Sequence, residues 1–218
     1  MTDSEPIQDV HFIVTGFGPF RNVKDNPTTV LANKLSNFFS DHFPTETEIL
    51  SSLETIILET SAEAARLETD RLKHVLSGDT ERSVVLLHMG VNYKGKQFQL
   101  EQFAYNQADF RIPDERGFQP RKAIVIEGSE PLLATNLDTL QIKNNLGIES
   151  IIVSDDPGRF VCNYTYYCSL SKFQDCNHVH TLFLHVPPFS VVNEQDQLEV
   201  VSRILIEIRK QIIEGEKK

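Results

Sequence analysis

The sequence predicts a single α/β domain, with three α/β/α layers around a mostly parallel, twisted mixed sheet. Three observations carry this. Short β-type runs alternate with segments of helical period along nearly the whole chain, the order that builds a parallel sheet covered by helices on both faces. One run, "SVVLLHMG" from Ser83, is continuously apolar, as a strand buried on both faces must be. The 218 residues, 40% apolar and 24% charged, show no internal repeat, low-complexity tract or linker. That length suits one sizeable core. Residues 1–218 are therefore read as one domain, with residues 1–9 as a flexible N-terminal tail.

The elements follow in order. "HFIVTGF" from His11 is strand-like and runs out at Gly16. "TTVLANKLSNFF" from Thr28 sets Val30, Leu31, Leu35 and Phe38 near one helical face. "ILSSLETIIL" from Ile49 reads as a strand. "SAEAARLETDRLKHVL" reads as a helix with Ser61 as N-cap and Glu63 in its first turn. After the buried run at Ser83, "KQFQLEQFAYN" from Lys96 alternates, with Phe98, Leu100 and Phe103 mostly on one side. It predicts a strand or a bent extended segment. "KAIVIEG" from Lys122 predicts another short strand. "PLLATNLDTLQIKNNLG" from Pro131 predicts a helix stopped by Gly147. "SIIVSDDPG" from Ser150 is a strand, "VCNYTYYCSLSKF" from Val161 a helix, and "VHTLFLHVPPF" from Val179 the last core strand. The final segment repeats Leu198, Val201, Leu205, Ile208 and Ile212 at steps of three and four, an amphipathic helix.

Composition narrows the function. The net charge of −10 disfavours nucleic acid and anionic membrane surfaces as partners. The three cysteines, Cys162, Cys168 and Cys176, are an odd number in a long chain, which does not read as a disulfide framework. Free thiols fit a reducing compartment. "MTDSEPIQDVHF" has neither the basic start nor the apolar stretch of a signal peptide, and no apolar run has the length of a membrane span. The expected address is the cytosol. No CxxC pair or close Cys/His spacing predicts a metal site.

In such folds ligand sites collect at the C-terminal ends of the strands. That selects the positions after Thr15, His88 and Ser154 and around His185. Cys162 follows the turn "SDDPGR" and opens a helix. There it meets the positive helix end and unpaired amide donors, which suit a thiolate and an oxyanion. The plain alternative is a buried, inert thiol, as free cysteine commonly is. Cys168 and Cys176 fit that alternative better. His185 ends the last strand before two prolines, where a base for a cysteine nucleophile would sit. His88, followed by Gly90, is its rival. A third group should orient the base, and sequence order cannot choose among 31 acidic residues. Glu101 stands out by its place in an apolar alternating segment, and Asp155 and Asp156 by their closeness to Cys162. In "TGFGPF", Phe17 and Phe20 sit in a glycine-rich loop, as core plugs or as a platform for a flat apolar ligand. The loop has no phosphate-binding pattern.

Four motifs in this order, "VTGFGPFRNVKDNPT", "LEQFAYNQADFRIPDERGFQP", "SDDPGRFVCNYTYYCSL" and "LFLHVPP", resemble the pyroglutamyl-peptidase I family of cytosolic cysteine peptidases over nearly the whole chain. The resemblance implies a phosphorylase/hydrolase-like α/β/α fold and removal of N-terminal pyroglutamate from small peptides. No metal or organic cofactor is implied. It assigns the family's catalytic Glu, Cys and His to Glu101, Cys162 and His185. It places an oxyanion-holding arginine at Arg111. Phe17 and Phe20 become the aromatic walls against the pyroglutamyl ring, and Val161, directly before the cysteine, joins them in the substrate-binding set. Pyroglutamate is a neutral lactam, so an aromatic pocket without a carboxylate for a free amine suits it. Two departures stand out. Val91 occupies the place where bacterial members usually carry Gln, and "TT" follows the "NP" of the first motif. A silent binding module for N-blocked peptides, or a cysteine hydrolase of other small amides, would share most of these features. Nothing in the sequence sets the oligomeric state.

Overall fold

A computed structural model describes residues 10–21, 26–76 and 82–215; the tail expected at residues 1–9 lies outside them. The strands are β1 (Val10–Phe17), β2 (Leu53–Leu58), β3 (Ser83–Val91), β4 (Phe98–Glu101), β5 (Phe103–Tyr105), β6 (Leu132–Ala134), β7 (Ile151–Ser154) and β8 (Val179–Val186). The helices are α1 (Pro27–His42), α2 (Thr47–Ser51), α3 (Ala62–Leu76), α4 (Thr139–Leu146), α5 (Val161–Phe173) and α6 (Glu194–Gly215). Six strands form one sheet in the order β2-β1-β3-β8-β4-β7, and β5 pairs with β6 in a separate ribbon. Every neighbouring pair in the main sheet is parallel except β4 with β8. Only six residues join β3 to β4, too few for a parallel crossover, so the chain turns over the end of β8 and runs back along it. Among the described residues no helix is long and apolar enough to cross a membrane.

Strand alternation divides the core in two. Phe12, Val14, Val85, Leu87, Leu182 and Leu184 face one way and pack under α1, α4 and α6. Ile13, Leu86 and Phe183 face the other way, toward α3 and α5. The five periodic positions of α6, from Leu198 to Ile212, are all buried. Gly16 lets β1 approach α1 closely: a Cβ there would lie 2.3 Å from the Thr28 carbonyl oxygen. Ser61 caps α3 by accepting from the Ala64 amide at 3.1 Å, and Gly147 ends α4 in the left-handed conformation.

Three segments differ from the sequence expectations. Residues 49–51 belong to α2, and the strand begins only at Leu53. The helix expected from Pro131 begins at Thr139, where Asp138 caps it by accepting from the Gln141 amide; residues 132–134 form β6 instead. Residues 122–128 form no strand beyond a single bridge from Ala123 to Ala108. There the Asn106 side chain takes the place of a neighbouring strand. It accepts from the amides of Val125 and Ile126 and donates to the carbonyls of Ile126 and Ser129. The segment from Lys96 is bent as expected: it breaks at Gln102, and Phe103 leaves the main sheet.

Candidate active site

Register brings the singled-out residues onto one sheet face. Gly90 on β3 is level with His185 on β8, and His185 is paired with Gln99 on β4. One row below, Thr15, His88, Phe183 and Glu101 run across β1, β3, β8 and β4 in the same way. Paired strand residues share a face, so both rows point toward α3 and α5.

Glu101 is fully buried, and its Oε1 lies 2.7 Å from His185 Nδ1. Its other carboxyl oxygen makes no hydrogen bond among the described residues, so the His185 contact is the carboxylate's one strong interaction. Tyr166 holds the backbone beneath by donating its hydroxyl to the Glu101 carbonyl at 2.9 Å. On its other side His185 meets Cys162. Burial disfavours charge on the imidazole, but hydrogen bonds to Cys162 and Glu101 outweigh it and push the His185 pKa up to about 9.

Cys162 lies in the first turn of α5 and is partly exposed. The N-cap residue Phe160 provides no side-chain cap, which leaves first-turn N–H groups to other acceptors. The sulfur rests over the sheet at Gly90, where a Cβ would lie 2.9 Å from Cys162 Sγ and 2.8 Å from the Phe183 ring. The first turn is pinned by Asn163, which is fully buried. Asn163 accepts from the Tyr105 amide at 2.8 Å and donates to the carbonyls of Tyr105 and Gln107 at 2.9 and 3.0 Å. The turn before it is braced by Arg159, which bonds Asp156 and the Gly158 carbonyl and stacks over the Tyr105 ring at 3.6 Å. Asp155 and Asp156 thus serve the turn: the Asp155 carbonyl accepts from the Tyr105 hydroxyl.

A cavity of about 890 Å³ opens over Cys162 and His185. One wall is aromatic, with Phe17, Phe20 and Phe160, and the Phe20 and Phe160 rings are 5.5 Å apart. The end of β1 carrying Phe17 is tied to the start of α1. The Phe17 amide donates to Thr28 Oγ1, its carbonyl accepts from Thr29, and Asn26 donates to the Gly18 carbonyl. Val91, Asn92, Tyr93 and Gln99 line the other side. Burial, and then the negative charge Cys162 can carry, hold the Tyr93 phenol above its usual range. Arg111 stands exposed at the rim, its guanidinium unpaired among the described residues.

Of the expected site residues, Glu101, Cys162 and His185 meet directly, and Phe17, Phe20 and Arg111 line the same cavity. Val161 is different. Its side chain is fully buried in the core below α5 and is not part of the cavity wall, because a helix turns adjacent side chains by about 100°. The rival His88 lies one row deeper, outside the cavity. Thr15 Oγ1 and Ser169 Oγ occupy its two nitrogens at 2.8 and 2.9 Å, and burial lowers its pKa to about 4. Cys168 is buried, which pushes its thiol up to about 12. Cys176 is half-buried, 2.8 Å from Lys73 Nζ and away from the cavity. Sequence reasoning gave no role to Asn163, Asn92 or Gln99. Polar residues beside a candidate nucleophile and on a strand's site-facing side were the only signal. Among the described residues no group of three or more His, Cys, Asp or Glu side chains is placed to hold a metal ion.

Known proteins share this architecture. The chain is similar to a pyrrolidone carboxyl peptidase from Thermococcus litoralis (TM-score 0.76, 19% identity, 94% of this chain and 96% of that one). It is also similar to one from Thermus thermophilus (TM-score 0.70, 25% identity, 92% and 99%). In sequence it is 31% identical to a Staphylococcus aureus pyrrolidone-carboxylate peptidase over 195 residues, 86% of this chain and 84% of that protein. A human pyroglutamyl-peptidase 1-like protein is 33% identical over 108 residues, 49% of this chain and 53% of that protein. The pyroglutamyl peptidase family model matches residues 10–210, from the first strand into the last helix and across both rows of the site. The chain belongs to the pyroglutamyl peptidase family.

Proposed function

We propose that the chain is a cysteine exopeptidase that hydrolyses the amide bond after an N-terminal pyroglutamyl residue. The observation that carries this reading is the contact series Glu101–His185–Cys162 at the foot of an aromatic-walled cavity. Peptidase activity on pyrrolidone-carboxyl substrates is what the names of its relatives state, and family membership extends that activity to this chain.

The lactam ring of pyroglutamate has no charge, and Phe17, Phe20 and Phe160 offer flat apolar surface for it. His185, oriented by Glu101, takes the Cys162 proton; its raised pKa favours that charged state. The thiolate attacks the pyroglutamyl carbonyl carbon. The oxyanion is held by first-turn amides of α5, with Arg111 at the rim able to add its positive charge. His185 then gives its proton to the leaving amine as the C–N bond breaks and a thioester forms. Water, deprotonated by His185, attacks the thioester carbonyl and releases pyroglutamate and the thiol. The steps exchange only protons and an acyl group. The substrates are short peptides in the cytosol, and the net charge of −10 disfavours nucleic acid or anionic lipid as a partner.

The test is a panel of p-nitroanilides carrying pyroglutamyl, prolyl and free glutamyl groups. Wild type should cleave the first alone. Cys162→Ser should lose at least about a thousandfold in kcat, since the hydroxyl is a far weaker nucleophile at neutral pH. Unchanged turnover in that variant would reject the mechanism, and equal cleavage of the prolyl compound would reject the substrate.

A further inference from the structure

We propose that Gln99 reads the residue following pyroglutamate, by donating its side-chain amide to that residue's carbonyl oxygen. This rests on the peptidase reading above.

The row across the sheet supplies the direction. Gly90, His185 and Gln99 stand level on the adjacent strands β3, β8 and β4. Cys162 Sγ lies over Gly90, which puts the attacked carbonyl there. Two members of the aromatic wall for the acyl group, Phe17 at the end of β1 and Phe20 just after it, stand on the far side of β3. The leaving amine therefore points the opposite way, toward His185, and the rest of the peptide continues toward β4. Two strand spacings are about 10 Å, which one extended residue and a glutamine side chain together span.

The hydrogen bonds orient the Gln99 amide. Asn92 Oδ1 accepts from the Lys94 amide at 3.2 Å, so its Nδ2 is the donor to Gln99 Oε1 at 2.7 Å. That leaves Gln99 Nε2 with both hydrogens unpaired among the described residues, in a side chain that lines the cavity. A turn closed by the Gly95 amide on the Asn92 carbonyl at 2.9 Å fixes Asn92 itself. A preset donor pair beside the base suits a peptide carbonyl and offers nothing to an aryl leaving group. Tyr93 and Ile112, both exposed at the cavity mouth, give apolar surface for the side chain of the same residue.

The experiment compares pyroglutamyl-alanine amide, which has the carbonyl, with pyroglutamyl p-nitroanilide, which lacks it. In Gln99→Met the peptide-to-anilide ratio of kcat/KM should fall about tenfold, the worth of one hydrogen bond. Asn92→Ala, which unpins the glutamine, should lower the ratio in the same direction by a smaller factor, and thermal melts of both variants check folding. An unchanged ratio in Gln99→Met, with both rates falling together or neither falling, would overturn the assignment. Wild type that cleaves neither compound would overturn the peptidase reading and this one with it.

Discussion

His185 lies between a buried carboxylate and a thiol, and the charges those groups carry decide its behaviour. Because its pKa is raised to about 9, the imidazolium is present through neutral pH and lost as the pH climbs past that value. Departure of the amine needs that proton, so kcat/KM should fall on an alkaline limb near pH 9. Glu101→Gln removes the negative neighbour, disfavours the imidazolium, and should move the limb to lower pH while cutting the rate. A pH–rate series on both proteins checks this, and a limb that stays in place would mean Glu101 does not set the charge of His185. Much of this was legible in the sequence. Cys162 and His185 were marked by a helix start and a strand end, but the spacing left His88 as a rival base. The family resemblance assigned the role to His185, and the physical ground for it, the Thr15 and Ser169 partners that close off both His88 nitrogens, is visible only in three dimensions. Gln99 was out of reach for the same reason: its meaning lies in its register with His185 and its bond to Asn92.

At the scale of elements, α5 carries Cys162 in its first turn and is held by a side-chain amide. Asn163 makes three hydrogen bonds to the backbone of residues 105–107 next to Cys162. Asn163→Ala leaves those groups short of partners beneath a buried first turn. It should cost about 2–4 kcal/mol and lower the Tm by about 5–10 °C. It should also depress kcat, since the cysteine loses its fixed position. Thermal melts and kinetics together check it; an unaltered Tm would show that the turn is held by α5 packing alone. Elements built from local pattern were readable. The continuous apolar run gave β3, Ser61 gave the start of α3, and the three-and-four spacing gave α6. Elements that depend on a distant side chain were not. "KAIVIEG" has a strand's composition, but Asn106 satisfies its backbone and no neighbouring strand is needed. Likewise "PLLATN" pairs with β5, which postpones α4 to the Asp138 cap.

For the whole molecule, the one antiparallel neighbour in the main sheet makes the site possible. Because β4 runs against β8, its carboxylate lies one row beneath the histidine and its glutamine level with it. A parallel β4 would need a longer crossover than the six residues present. Fold class, a mostly parallel mixed sheet, was legible, while the identity of the reversed strand was not, since periodicity carries no strand direction. The central claim is that Cys162, alone of the three thiols, carries the acyl group. The most direct measurement is acid quenching of the reaction with a pyroglutamyl aryl ester, followed by mass spectrometric mapping of peptides. One pyroglutamyl group should be found as a thioester on the peptide containing Cys162, with Cys168 and Cys176 unmodified. Hydrolysis that proceeds with no adduct on Cys162, or with the group on another residue, would contradict the account.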